Sequence, residues 1–174
     1  MKDITKIISC LAALFLSLPA LASVPAKPAA PAVPKTLSGS GFTYGGLAGT
    51  GFTLLDIRRT ADQRRKIERL VFDVGDKNGK DMRGWPGYYH AELKSNPQRL
   101  VLDFAQMPNS RLDQTAVTSR LRGSMAIRNT VMSLEPVDGT LNLTMDLKQN
   151  TKVRVYQVMG KKMTSKVVVD LISE

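Results

Sequence analysis

Along residues 52–174, apolar and polar positions alternate more often than they recur at helical spacing. Period two is the signature of a strand with one buried face. The alternation predicts strands over 52–59, 68–74, 88–94, 99–104, 126–134, 140–147, 152–158 and 166–172. Turn chemistry separates them. Pro136-Val137-Asp138-Gly139 places an Asp-Gly hairpin cue just before the 140–147 run, and Gln149-Asn150 turns the chain toward 152. Only 112–122 departs from the pattern, as one short helix with Asp113 as its cap. About eight short strands at this spacing predict an all-β fold, a small β-sandwich.

Three of these strands repeat one phrase. Arg69-Leu70-Val71-Phe72-Asp73-Val74, Arg99-Leu100-Val101-Leu102-Asp103-Phe104 and Lys166-Val167-Val168-Val169-Asp170-Leu171 each read basic, apolar, Val, apolar, Asp, apolar. The pleat sends Leu70, Phe72 and Val74 to one face, and likewise Leu100, Leu102, Phe104 and Val167, Val169, Leu171. Leu141, Leu143, Met145 and Leu147 make a fourth inward row. The opposite face then carries the basic residue and Asp of each copy: Arg69 and Asp73, Arg99 and Asp103, Lys166 and Asp170. Two readings stand for these six. They form cross-strand charge pairs on a solvated face, contributing roughly 0.2–1 kcal/mol each, or they form a ligand-binding row.

The first 51 residues follow another logic. Lys2 and Lys6 precede an apolar run over 7–18, Pro19 breaks it, and Ala20-Leu21-Ala22 is an A-x-A pattern. This predicts a secretory signal peptide over 1–22, cleaved after Ala22, because a dozen apolar residues fall short of the roughly 20 that span a bilayer. Residues 23–35 alternate Pro with Ala and Val, and 38–51 are rich in Gly and Ser. The whole of 23–51 therefore reads as an extended, flexible linker, and 52–174 as the folded domain. Export places the chain in the periplasm or outside the cell.

Composition narrows the chemistry. The single Cys10 lies within the leader and the single histidine is His90. Cys/His zinc sites, Cys-His nucleophile pairs and internal disulfides are excluded by count. No cofactor, metal or catalytic residue is expected. Tyr88, His90 and Glu92 share one face of a strand, where a lone histidine is ordinarily structural. Asn142-Leu143-Thr144 matches a glycosylation sequon but lies inside a strand. Lys and Arg number 25 against 15 acids, a net +10. Such a charge attracts anionic polymers and head groups. Nucleic acid is not expected in an exported chain without a reader motif.

Two clusters stand out as binding candidates. Arg83-Gly84-Trp85-Pro86-Gly87-Tyr88-Tyr89 holds the only Trp and two of the four Tyr in a Gly/Pro loop. Flat rings with polar edges suit sugars and interfaces. The alternative is a loop folded over the open end of the sandwich. Arg58-Arg59, and Arg64-Arg65-Lys66 beyond them, bracket a turn and would draw anions, or are a solvated turn. The candidate ligand residues are thus Arg83, Trp85, Tyr88, Tyr89, Arg58 and Arg59.

Pro97-Gln98-Arg99-Leu100-Val101-Leu102-Asp103 resembles the strand signature of the AMIN domain, and Ser165-Lys166-Val167-Val168-Val169-Asp170-Leu171 resembles its closing strand. Leu55-Asp56-Ile57-Arg58-Arg59, the stretch from Glu68 to Asp73, and Pro86-Gly87-Tyr88 are similar to the AMIN-like variant of small exported proteins. The resemblance implies a small sandwich of the bacterial envelope. Such domains accompany periplasmic amidases and type IV pilus secretins and localise them by binding peptidoglycan or an envelope partner, without catalysis. The expectation is an exported, non-catalytic envelope-binding module for peptidoglycan or another cell-wall glycan. With no amidase or secretin segment after residue 174, it would act as an adaptor or accessory subunit. The alternatives are a protein-interaction adaptor for a secretin, pilus or amidase complex, a membrane-surface binder, and a small glycan-acting enzyme using paired acids.

Overall fold

The computed structural model describes residues 34–49, 51–148, 150–160 and 164–174. The expected leader and most of the proline-rich stretch lie outside the described residues. All eight expected strands form: β3 (Phe52–Asp62), β4 (Ile67–Asp76), β5 (Tyr89–Ser95), β6 (Gln98–Phe104), β8 (Ile127–Glu135), β9 (Thr140–Leu147), β10 (Thr151–Val158) and β11 (Ser165–Ser173). Three more join them: β1 (Lys35–Leu37), β2 (Gly41–Gly45) and the short β7 (Asn109–Ser110). They make two sheets, ordered β1-β10-β11-β4-β3-β7 and β2-β5-β6-β9-β8. The fold is all-β with one short helix, a sandwich of six and five strands.

The inward rows read from the alternation meet in the core. Leu70, Phe72 and Val74 of β4 and Val167, Val169 and Leu171 of β11 are buried, as are Leu100, Leu102 and Phe104 of β6 and the β9 row from Leu141 to Leu147. Phe72 and Phe104 pack across the two sheets with ring centroids 5.6 Å apart. A bulge at Leu55 resets the alternation within β3. Beyond it Ile57 and Arg59 point inward, while Asp56, Arg58 and Thr60 point out.

The segment at 34–49 corrects the linker expectation. Lys35–Leu37 pairs with β10 and Gly41–Gly45 pairs with β5. The chain changes sheets in a tight Ser38-Gly39-Ser40 turn, where Ser40 N–H donates to the Ser38 carbonyl at 2.9 Å and Gly39 takes φ 73°. A few Gly and Ser here serve a turn and close packing rather than flexibility. The small inward side of β2 is needed because Tyr89 fills the space behind it. A Cβ on Gly45 would lie 2.5 Å from the Tyr89 hydroxyl.

The other side of the sandwich is closed by α1 (Gln114–Leu121). Asp113 caps it, accepting from Ala116 N–H at 2.7 Å, and Val117 and Leu121 face the core one turn apart. Gln114 covers the edge of β8 with its carboxamide. It donates to the Thr130 carbonyl at 2.8 Å and accepts from Met132 N–H at 2.6 Å, as a neighbouring strand would. Glu68 ties the exit of the helix to the sandwich. Its buried carboxylate accepts from Ser124 Oγ at 2.7 Å, Met125 N–H at 2.9 Å and Ala126 N–H at 3.1 Å, and from Arg59 on its other oxygen.

Candidate functional site

The repeated strand phrase is a set of cross-strand charge pairs, with one correction. In the antiparallel β4–β11 pair, Lys166 lies opposite Asp73 and Asp170 opposite Arg69. A strand bearing a cation and, four residues on, an acid is its own complement when reversed, so two copies select this register. Asp73 accepts two bonds from Arg58, at 2.8 and 3.0 Å, with Lys166 Nζ 3.6 Å away. Asp170 accepts from Arg69 at 2.6 and 3.1 Å and from Arg154 at 2.9 Å. The correction is burial. Asp170 is fully covered and Asp73 nearly so, although the guanidinia above them are about half exposed. This face is a lattice of clamped charges rather than loosely solvated pairs.

Burial alone would raise the Asp170 pKa. The hydrogen bonds from Arg69 and Arg154, with their charges, outweigh it and leave the pKa below the usual 3.8. The third copy sits in the other sheet and finds different partners. Arg99 binds Asp146 at 2.7 Å, and Asp103 accepts from Asn142 at 2.5 Å with His90 Nδ1 at 3.6 Å.

The six candidate ligand residues do not converge on one surface. Arg58 is held by Asp73, and Arg59 turns inward to Glu68 at 3.1 Å. Tyr89 is a core residue, 1% exposed, and burial pushes its hydroxyl up to about 12. Trp85 is half-buried in a loop pinned at both ends. Gly84 and Gly160 exchange N–H···O bonds of 2.9 and 2.8 Å, and Leu47 N–H donates to the Pro86 carbonyl at 3.0 Å. Arg83 is exposed beside it. Tyr88 alone joins a cluster able to receive a ligand.

That cluster is an aromatic strip on the outer face of the five-stranded sheet. Phe42 and Tyr44 alternate outward from β2 and are 53% and 59% exposed, and Tyr88 is 39% exposed. Tyr44 and Tyr88 stack at 6.4 Å between centroids with planes 30° apart. Phe42 lies 5.8 Å from the His90 ring, and Lys35 Nζ sits 5.7 Å from the centroid of Phe42. In register, Tyr44 is opposite His90 and Phe42 opposite Glu92. Asp103 and Asn142 continue the same face on β6 and β9. The strip offers flat apolar faces bordered by an amine, an imidazole, two carboxylates and an amide. The signal for it in the sequence is Phe42-Thr43-Tyr44, two aromatics at period two between glycines, inside a segment read as linker.

No group of three or more His, Cys, Asp or Glu side chains that could hold a metal occurs among the described residues. No helix among them is long and apolar enough to cross a membrane. No protein-family model matches the chain, and no curated protein matches it.

Proposed function

We propose that this protein is a non-catalytic binding module of the bacterial envelope that grips cell-wall glycan on the outer face of its five-stranded sheet. The observation that carries the reading is the Phe42, Tyr44 and Tyr88 strip. Exposed, mutually braced aromatic rings on a flat sheet are costly to leave in water and suit the C–H faces of sugar rings. The bordering Lys35, His90, Glu92 and Asn142 supply donors and acceptors for hydroxyl, N-acetyl and carboxyl groups. The leader-like N-terminus and the AMIN resemblance point to the same compartment and ligand class. His90 has one carboxylate neighbour and stands in the border of the strip, which suits contact rather than catalysis.

The test is co-sedimentation of the full chain with purified peptidoglycan sacculi at low and high salt. The expected result is binding that survives high salt and falls on the order of tenfold in Tyr44→Ala/Tyr88→Ala, the loss typical of aromatic contacts at a binding hot spot. Binding that high salt abolishes equally in both proteins would reduce the interaction to charge adsorption. Absence of binding at either salt would refute the glycan reading.

One observation favours a second reading, a protein partner that adds a strand. β2 is the edge of its sheet. Lys35 Nζ donates to the Phe42 carbonyl at 3.2 Å, and Gly46 N–H donates to Gln157 at 2.5 Å, both off that rim. The pleat sends the N–H and C=O of Tyr44, midway between them, to the same rim. A partner strand pairing with Tyr44 there would displace the Lys35 and Gln157 side chains from the rim and have the aromatic side chains flanking it.

A further inference from the structure

At the edge opposite the aromatic strip, a cleft of about 220 Å³ opens between the end of α1 and the start of β8. Arg122, Arg128 and Lys148 line it, with Thr118, Asn129 and Thr130 among the polar groups around them. None of its lining residues carries a carboxylate. Seven of the twelve arginines form ion pairs among the described residues, and Arg122 and Arg128 belong to the five that do not. Arg58, Arg59, Arg65, Arg69, Arg99, Arg120 and Arg154 each sit on an acid. Arg122 and Arg128 are exposed, and neither guanidinium makes an ion pair among the described residues. Three cations gathered without a counter-charge repel one another, water and salt screen that repulsion in part, and a bound anion would relieve the rest.

The backbone builds the cleft deliberately. A bulge at Arg128 shifts the β8–β9 register between Ile127 and Asn129, so that Arg128 and Asn129 are both exposed at the same end of the strand. Gly123, at φ 73°, turns the chain out of the helix and sets Arg122 at the rim. Lys148 is steadied by donation from Nζ to the Ser124 carbonyl at 2.6 Å. Ser124 itself is fixed by Glu68, so this wall of the cleft is anchored in the core. The C-terminal carbonyls of α1 oppose an anion nearby. They are blunted here, because Arg122 N–H donates to the Ser119 carbonyl and Ser124 N–H to that of Leu121.

We propose that this cleft is an oxyanion site for a phosphoryl group, gripped by Arg122, Arg128 and Lys148. Two planar guanidinium forks and an ammonium suit the several oxygens of a phosphate. The site is independent of the aromatic strip. β2 and β8 are opposite edges of the five-stranded sheet, four strand intervals or roughly 19 Å apart at about 4.8 Å each.

The test is a backbone-amide NMR titration of the full chain with inorganic phosphate at constant ionic strength, with glycerol 3-phosphate in a parallel arm. Shifts should cluster at residues 118–130 and 148. Arg122→Gln/Arg128→Gln should weaken binding by on the order of a hundredfold, about tenfold per charge-assisted contact. Both residues are exposed, so the variant should keep its spectrum elsewhere. The charge-matched control Arg64→Gln/Lys77→Gln should bind as the unmodified chain does. Tighter binding of the ester would assign phosphate carried on a polymer or lipid, and tighter binding of the inorganic ion would assign the free ion. No saturable shift, shifts spread over all cationic residues, or equal weakening in the control would overturn the proposal.

Discussion

Removing Asp170 should cost less than removing the two arginines that hold it. The carboxylate has no exposed surface, while the side chains of Arg69 and Arg154 are 46% and 39% exposed. In Asp170→Ala the guanidinia lose their charge-assisted bonds but turn to water, so no charge is stranded. Hydrogen bonds to charged groups are worth about 1.5–3 kcal/mol each. Solvent screening of half-exposed partners discounts this heavily. The expected loss is about 2–3 kcal/mol in all, including the repulsion left between two adjacent cations. In Arg69→Met/Arg154→Met the apolar stems still cover the carboxylate, and a buried charge is left without a partner. That situation costs about 3–5 kcal/mol.

Urea unfolding followed by Trp85 fluorescence measures both variants at pH 7. The sign of the pH dependence separates them further. The folded-state pKa of Asp170 lies below its usual 3.8, so its stabilisation is complete above that value and drains away as pH falls through the folded one. The gap between the unmodified chain and Asp170→Ala should therefore narrow below about pH 3.8. In the double methionine variant burial acts unopposed and raises that pKa, so mild acid should recover part of its stability. If Asp170→Ala proved at least as damaging as the double variant, or if their acid responses coincided, this account of the charge lattice would be wrong.

Two further outcomes probe the ends of the fold. Glu68→Ala strips the acceptor from Ser124, Met125 and Ala126 and unpairs Arg59; it should cost about 3–5 kcal/mol, whereas Glu68→Gln, which keeps one carbonyl oxygen, should cost about half of that. A loss under about 1 kcal/mol for the alanine in the same urea assay would contradict the picture of a buried tie. Gly45→Ala drives a methyl into the Tyr89 ring and should cost about 1–3 kcal/mol, with a double-mutant cycle against Tyr89→Leu showing the two positions coupled rather than additive.

The core was legible because its strands obey one rule without interruption. β9 alternates strictly, and β4, β6 and β11 each carry one Val on the charged face, so the unbroken apolar row at period two marks the side that meets the core. What the pattern hides breaks that rule for a physical reason. The inward side of β2 must be small to admit Tyr89, so Gly41, Thr43 and Gly45 carry no apolar signal, and the strand reads as a flexible stretch. The three-residue β1 and two-residue β7 are too short to show any period. The candidate site suffered the same way. Tyr88 was singled out by its neighbours in sequence, but its partner Tyr44 lies 44 positions away and is brought to it only by the β2–β5 pairing. Tyr88 and Tyr89 are adjacent in sequence and identical in type. The pleat alone sends one to solvent and the other into the core.

The two outer faces of the sandwich treat exposed groups differently, and this bears on where a ligand would bind. On the six-stranded sheet, Asp73 and Asp170 each take up cations from neighbouring strands, so Arg58, Arg69 and Arg154 are spent on holding register. Such a face is charged yet internally satisfied, and a ligand there would have to break pairs before making new ones. On the five-stranded sheet Arg99 pairs with Asp146 and Lys148 donates to the Ser124 carbonyl, but the exposed rings at one edge, and Arg122 and Arg128 beside β8 at the other, hold no ion pair among the described residues. Stacking is indifferent to salt, whereas phosphate capture is screened within a Debye length of about 8 Å at physiological ionic strength. A ligand engaging only the strip should therefore bind alike in low and high salt. One that spans both edges should lose affinity with salt in the unmodified chain and lose that salt dependence in Arg122→Gln/Arg128→Gln.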